Sequence, residues 1–259
     1  MLLLHGGPGV SFEYVDGLAA EIGDGFQVAA YQQRGIEPST LEGPFTVDHE
    51  VADALAVLDA LSWEHAWVVG HSWGGHLLLH IAVAAPARLD GGLAIDPLGA
   101  VADGGYEAFE AEMLRRIPED DRQLAEQLDE QAMRGEGGPE AALESLRLAW
   151  PAYFASSDDV MPFNYRRVSV PAYAGLLESL ANARPRLESA LAGLKIPLGF
   201  LAGARSPMPY DQAAGATAQA IPTAWLEVVE GAGHFPWFER PGCVRRALQR
   251  LTGTAHGIS

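Results

Sequence analysis

The stretch Gly70-His71-Ser72-Trp73-Gly74 decides the fold that this sequence predicts. The apolar residues 66–69 precede it and favour a buried strand, while residues 75–85 follow it with the pattern of a helix. A strand, a sharp turn and a helix with serine at the apex form a known nucleophile motif. The glycines remove side chains that would clash in such a turn, so that the hydroxyl stands exposed beside a helix N-terminus. The stretch therefore predicts that Ser72 is a nucleophile.

The composition suits a large enzyme-sized domain and disfavours several classes of partner. The chain has 259 residues, of which 48% are apolar, which fits one α/β domain with an insertion or two small domains. A formal charge of −17 disfavours nucleic acid and anionic membranes as partners, because their phosphates would be repelled. We therefore expect a small molecule or a short peptide as substrate, with no nucleic acid and no membrane as partners.

The numbers and spacings of cysteine and histidine residues indicate the cellular compartment and whether a metal site is expected. Cys243 is the single cysteine, so no intrachain disulfide forms, and we expect a cytoplasmic protein. The sequence has no apolar run of about 20 residues that would span a bilayer. It also has no C-x-x-C or H-E-x-x-H spacing. We expect no metal site.

Strand and helix patterns alternate at both ends of the chain, and the middle is helical. Alternation of this kind predicts an α/β fold with a mostly parallel sheet and helices on both faces. Residues 101–190 read as a helical cap inserted into a core made of residues 1–100 and 191–259. The predicted strands are 2–4, 27–31, 66–69, 89–95, 196–201 and 225–229, and the predicted helices are 48–61, 75–85, 105–116, 119–133, 139–149, 170–192, 209–220 and 241–251.

A serine nucleophile needs a base and donors for the oxyanion. His234 is the best of the eight histidines, because it follows the last predicted strand in a glycine-bracketed loop, where a parallel sheet presents its active edge. The backbone N–H of Trp73 and that of Gly7, in the loop after the first strand, are the predicted oxyanion donors. Phe235 and Trp237 are predicted to line the substrate pocket.

Four motifs stand out along the chain, namely His5-Gly6-Gly7-Pro8-Gly9, Gln33-Arg34-Gly35, the turn around Ser72, and Gly233-His234-Phe235. Together they resemble those of the α/β-hydrolase superfamily, and most closely those of its prolyl iminopeptidase branch. The resemblance implies a mostly parallel sheet, a helical cap over the site, a Ser-His-Asp triad, an oxyanion hole and no cofactor.

The sequence departs from the family pattern where the triad acid is expected. After the strand that follows the cap, Ser206 stands in place of the usual aspartate. Some members of the superfamily carry the acid at the end of the strand before the cap, where this chain has Asp96. We assign Asp96 as the residue that orients His234, with Asp211 as the alternative. Asp96 has a simpler interpretation too, since it also opens an Asp-Pro turn.

Two further departures bear on the branch and on the sheet. The loop Gln32-Gln33-Arg34-Gly35-Ile36-Glu37 lacks the aspartate and the second glycine of the iminopeptidase pattern. Met1 starts inside what would be the third strand of the family, so the first two strands are expected to be missing.

The leading hypothesis is a serine hydrolase that cleaves a small ester, lactone or amide through an acyl-enzyme on Ser72. A prolyl iminopeptidase-type aminopeptidase is the special case, because acidic cap residues would bind a substrate ammonium group. The alternative from another class is a catalytically silent hydrolase scaffold that binds ligands or proteins. A dehalogenase or epoxide hydrolase with an aspartate nucleophile is disfavoured, since serine occupies the nucleophile position.

Overall fold

The computed structural model describes residues 1–23, 25–158 and 160–253, and its centre is a fully parallel sheet of six strands in the order β2-β1-β3-β4-β5-β6. This arrangement confirms the predicted sheet. The strands are β1 Leu2–Leu4, β2 Ala29–Ala30, β3 Ala66–His71, β4 Leu89–Ile95, β5 Leu198–Gly203 and β6 Ala224–Val229.

Helices cover both faces of the sheet, as the alternating pattern predicts. They are α1 Val15–Ile22, α2 Val47–Ala60, α3 Trp73–Ala84, α4 Tyr106–Arg116, α5 Glu119–Met133, α6 Gly138–Ala149, α7 Val170–Ala190, α8 Ala216–Ala220, α9 Pro236–Glu239 and α10 Cys243–Thr252. Apolar side chains of α2, α3, α7 and α8 form one core cluster, and those of α1 and α10 belong to a second. Burial of these two clusters is the main stabilising contribution to the fold.

The carboxyl ends of all six strands point to one edge of the sheet, because the strands are parallel. Ser72 follows β3, Asp96 follows β4, Ser206 lies after β5 and His234 lies after β6. Ligands of open α/β sheets bind at this edge. The topology therefore gathers four polar side chains from segments far apart in the sequence.

The segment between β4 and β5 carries α4–α7. Helices α5 and α6 pack against each other, and α7 packs against α2 and α3. An isolated bridge between Val10 and Val168 joins this segment to the loop after β1. No helix in the described part of the chain is long and apolar enough to cross a membrane.

Four elements differ from the sequence prediction, and one of them is α9 Pro236–Glu239, which was not predicted. The prediction of a buried strand over residues 27–31 was wrong. The strand β2 has only two residues, with Ala29 half-buried and Ala30 exposed at the sheet edge. The helix predicted over 209–220 is a π-helix at Asp211–Gly215 followed by the short α8. Helix α1 was not anticipated. Residues 254–259 of the predicted core lie outside the described residues.

Candidate active site

The turn between β3 and α3 holds Ser72 in a strained conformation. Ser72 has φ 54° and ψ −119°, a region that non-glycine residues rarely occupy. A Cβ on Gly70 would lie 2.1 Å from the Gly74 carbonyl oxygen, and one on Gly74 would lie 2.2 Å from that of Leu4. Both glycines are therefore required by contact, which is the mechanical reason for the Gly-x-Ser-x-Gly pattern.

Asp96 and His234 meet in a buried hydrogen bond. His234 Nδ1 lies 2.5 Å from Asp96 Oδ2, and the two residues are 3% and 1% exposed. The backbone N–H of Gly203 donates to Asp96 Oδ1 at 2.9 Å. Asp96 itself has φ 45°, a second strained position at the same edge of the sheet. The carboxylate is thus held at the ring by main-chain geometry as well as by hydrogen bonds.

Ser206, which stands where the family carries its acid, bonds to the same carboxylate. Its hydroxyl donates to Asp96 Oδ2, the oxygen that also faces His234, and it accepts the N–H of Met208 at 3.1 Å. The sequence marked position 206 as a departure but gave no signal for this contact. Asp211 is exposed, and no hydrogen bond joins it to His234 in the ranges that the structure describes.

The loop that carries His234 is fixed by contacts with the helical segment. The N–H of His234 donates to the Tyr153 carbonyl at 2.8 Å, and the Tyr153 ring lies 5.3 Å from the imidazole. Glu239 accepts the N–H groups of Gly233 and Ala155, each at 2.7 Å. Sequence reasoning missed Tyr153, because no motif distinguishes it from the other aromatic residues of the insertion.

The loop after β1 approaches the serine closely. A Cβ on Gly6 would lie 2.8 Å from the Ser72 Cβ. Gln33 holds this loop in place: its N–H donates to His5 Nε2 at 3.0 Å, and its side-chain oxygen accepts the Trp73 indole N–H at 2.9 Å. Burial lowers the pKa of His5 to about 4, so this ring is neutral at pH 7.

Ser72 and His234 line the same cavity of about 710 Å³. Gly7, Trp73 and Phe235 also line it. Trp237 does not belong to the lining: its ring stacks on Tyr14, with centroids 6.1 Å apart, in the layer behind. Much of the wall comes from aromatic and apolar residues of the helical segment, among them Tyr106, Phe109, Met113, Ile117, Trp150, Tyr153, Tyr165 and Tyr173.

Four carboxylates of the helical segment complete the lining, namely Glu110, Glu126, Asp129 and Glu130. All four are exposed residues on α4 and α5. Loss of hydration, together with the charges of Glu110 and Glu130, raises the pKa of Asp129. Like charges thus gather on the part of the wall that α4 and α5 form.

Comparisons with known proteins give the same picture of the fold. Epoxide hydrolase B of Mycobacterium tuberculosis is 33% identical over 94 residues, which are 35% of this chain and 26% of that protein, so the match spans about a quarter of the relative. The 3-oxoadipate enol-lactonase 2 of Acinetobacter baylyi is 25% identical over 234 residues, 88% of this chain and 79% of that one. The crystal structure of a Mycobacterium smegmatis proline iminopeptidase has a TM-score of 0.66 at 21% identity, covering 97% of this chain and 88% of that chain.

The family comparison covers more of the chain than the comparison with epoxide hydrolase B. A profile described as the alpha/beta hydrolase family matches residues 1–244, which include the serine turn, all six strands and the His234 loop. The chain therefore belongs to the alpha/beta hydrolase family.

Proposed function

We propose that this hydrolase cleaves a small ester, lactone or amide through an acyl-enzyme on Ser72. The observation that carries the proposal is the 2.5 Å contact between His234 Nδ1 and the buried Asp96 Oδ2, because His234 lines the same cavity as the strained Ser72. A serine hydroxyl becomes a useful nucleophile only when a base accepts its proton. The three residues supply the alcohol, the imidazole and the carboxylate that this chemistry requires.

The proton assignment follows from the partners of the imidazole. An ionised carboxylate only accepts, so His234 donates its Nδ1–H to Asp96 and keeps the Nε2 lone pair. That nitrogen takes the proton from Ser72 Oγ as the oxygen attacks the carbonyl carbon of the substrate. The proton then passes to the leaving group. In the second half of the reaction, His234 activates the water that releases the acid.

Asp96 acts by orienting the ring and by stabilising the imidazolium that forms during each step. Its carboxylate accepts from Gly203 and Ser206 as well as from His234. Gly203 holds Oδ1 of the carboxylate, and Ser206 holds Oδ2, the oxygen that faces the ring. Ser206 is therefore a positioning residue in the proposed site.

The oxyanion would be stabilised by the backbone N–H groups of Gly7 and Trp73. Trp73 is the first residue of α3, and the first N–H groups of a helix have no carbonyl partner within it. Gly7 lies one residue beyond Gly6, whose backbone approaches the Ser72 Cβ. Each preorganised donor of this kind contributes about 3–4 kcal/mol to the transition state.

The helical segment that carries α4–α7 would act as a cap that shapes the substrate pocket. Its apolar and aromatic wall favours a small, largely apolar acyl group or lactone ring. The enol-lactonase relative, which matches over 88% of this chain, supports a lactone as one class to test.

A prolyl aminopeptidase-type activity is the second candidate. The carboxylates Glu110, Glu126, Asp129 and Glu130 favour a substrate that carries an ammonium group. A proline iminopeptidase of known structure has the same fold as this chain, so the fold is compatible with this activity. The changed loop at Gln32 and Glu37 weighs against this branch, so the ester and lactone classes lead.

A parallel screen of short p-nitrophenyl esters, lactones and proline-β-naphthylamide tests the proposal. Ser72→Ala is expected to abolish turnover of every substrate that the protein accepts. Ser62→Ala is the matched control, because Ser62 is an exposed serine that also has a positive φ, of 57°. Turnover retained by Ser72→Ala would assign the nucleophile elsewhere, and no turnover in any class would favour the silent scaffold.

A further inference from the structure

A chain of buried hydrogen bonds through Tyr14 and His71, the latter at the cavity wall, joins two loops of the proposed site. The Gly6 N–H donates to the Tyr14 hydroxyl, which lies 2.9 Å from His71 Nδ1. His71 Nε2 lies 2.9 Å from the carbonyl oxygen of His234. Tyr14 and His71 are 2% and 1% exposed. The proposed mechanism uses neither side chain.

The partners fix the position of every proton in this chain. A backbone carbonyl only accepts, so His71 carries its proton on Nε2 and donates it to His234. Its Nδ1 is then a bare acceptor, and the single hydroxyl proton of Tyr14 must point at it. The Tyr14 oxygen in turn accepts from Gly6, whose amide only donates. Donors and acceptors match along the whole chain.

Both side chains stay uncharged near neutral pH, so the same atoms donate and accept there. Burial lowers the pKa of His71 well below its ordinary value and raises that of Tyr14. Aromatic rings surround the pair: Tyr14 contacts Phe235 at 5.7 Å and Tyr165 at 5.6 Å between centroids. In such a dry environment an unpaired polar group costs about 1–3 kcal/mol, so the bonds resist opening.

We infer that Tyr14 and His71 are positioning residues that hold the Gly6–Gly7 loop and the His234 loop in register with Ser72. This inference rests on the proposed function, because it assigns Gly7 and His234 their roles there. His71 directly precedes Ser72 in the sequence. The hydrogen bonds therefore tie both loops to the backbone segment that carries the serine. A displacement of about 1 Å in either loop is enough to lower turnover by about 10²-fold.

Tyr14→Phe is the first test, since it removes one oxygen and keeps the ring packing. We expect kcat to fall by about 10- to 100-fold while KM changes less than about twofold, because the bonds act on alignment and not on substrate contact. Thr217→Val is the matched control. Thr217 is a fully buried hydroxyl outside the cavity lining that accepts the Ala100 N–H at 2.8 Å and donates to the Ala213 carbonyl at 2.7 Å. It should lose stability and keep kcat.

Two variants of His71 separate the two halves of the chain. His71→Gln keeps a donor where Nε2 lies and loses the acceptor for Tyr14, whereas His71→Asn keeps the acceptor and loses the donor. In a Tyr14→Phe background, His71→Gln should therefore add less than about twofold, and His71→Asn should lower kcat further. If Tyr14→Phe does not fold, His71→Gln and His71→Asn are each compared with the parent protein; both should then lower kcat, and a kcat within twofold of the parent in both would overturn the positioning role.

The outcomes distinguish this inference from the proposed function itself. A Tyr14→Phe protein with kcat within twofold of the parent, or a fall no larger than in Thr217→Val, would overturn the positioning role. If the kcat losses of Tyr14→Phe and His71→Gln multiply in the double variant, the two residues act independently, and the inference of one connected chain of hydrogen bonds would be overturned. Turnover that survives Ser72→Ala would instead defeat the proposed function, whatever Tyr14→Phe does.

Discussion

Replacing Glu50 with glutamine is expected to stabilise the protein above pH 8 and to leave its stability almost unchanged at pH 5. Glu50 lies in the first turn of α2 and is 0% exposed. Within the described residues, neither of its carboxylate oxygens has a hydrogen-bond partner. The nearby guanidinium of Arg34 is already engaged by Asp53 through two bonds of 2.7 Å. Burial, with a contribution from the charge of Asp53, raises the pKa of Glu50 from 4.5 to about 8.

The sign and size of the effect follow from that difference. Because the pKa of Glu50 is higher in the folded state, the folded protein holds a proton between pH 4.5 and about 8 that the unfolded chain releases. Stability therefore falls as pH rises through this window, by up to about 1.36 kcal/mol per pH unit. The full window of about 3.5 pH units gives an upper limit of about 4–5 kcal/mol. Relaxation of the surroundings reduces this, and we expect about 2–4 kcal/mol.

Urea unfolding followed by tryptophan fluorescence at pH 5 to 9 measures the difference between Glu50→Gln and the parent protein. The titrations of groups that do not interact with Glu50 cancel in that difference. Glu188→Gln, at an exposed glutamate on α7, is the matched control and should show no pH-dependent gain. A difference between Glu50→Gln and the parent that stays constant from pH 5 to 9 would refute the reasoning about burial.

Three further substitutions address the site directly. Asp96→Asn should lower kcat by about 10⁴-fold on a p-nitrophenyl ester, because an amide at this place favours the wrong imidazole tautomer of His234; a loss below tenfold would move the orienting role elsewhere. Ser206→Ala should lower kcat about tenfold, since a hydrogen bond to a charged group contributes about 1.5–3 kcal/mol, and an unchanged kcat would show that the other anchors suffice. Gly70→Ala should give little folded protein on purification, because its Cβ would lie 2.1 Å from the Gly74 carbonyl oxygen; a normal yield with normal turnover would contradict the contact argument.

The sequence predicted the sheet and the helical segment well, because both depend on periodic patterns. Helices were expected over 119–133 and 139–149, and the structure has Glu119–Met133 and Gly138–Ala149. The edge strand was less predictable. Residues 27–31 are apolar enough for a buried strand, but β2 pairs only with the short β1, so two residues form the ladder. Pairing partners, not composition, set its length.

The candidate site was predictable where a motif fixes backbone geometry. Ser72 and His234 sit in glycine-rich turns, and the structure brings the latter to Asp96. Contacts between residues that are far apart in the sequence had no sequence motif that could predict them. The Ser206 hydroxyl reaches Asp96 across two neighbouring strand ends, although the residues are 110 positions apart. The His71 ring also packs against that of His234, with centroids 4.7 Å apart, and no motif in the sequence indicates this contact.

Mass spectrometry of the acid-quenched reaction tests the central claim most directly. The protein is mixed with a p-nitrophenyl ester that it turns over, quenched within the first turnovers and digested. We predict that the acyl group is found on the peptide that contains Ser72, and that the Ser72→Ala protein carries no such group. Product formation without an adduct at Ser72, or with the adduct on another residue, would contradict the proposed mechanism.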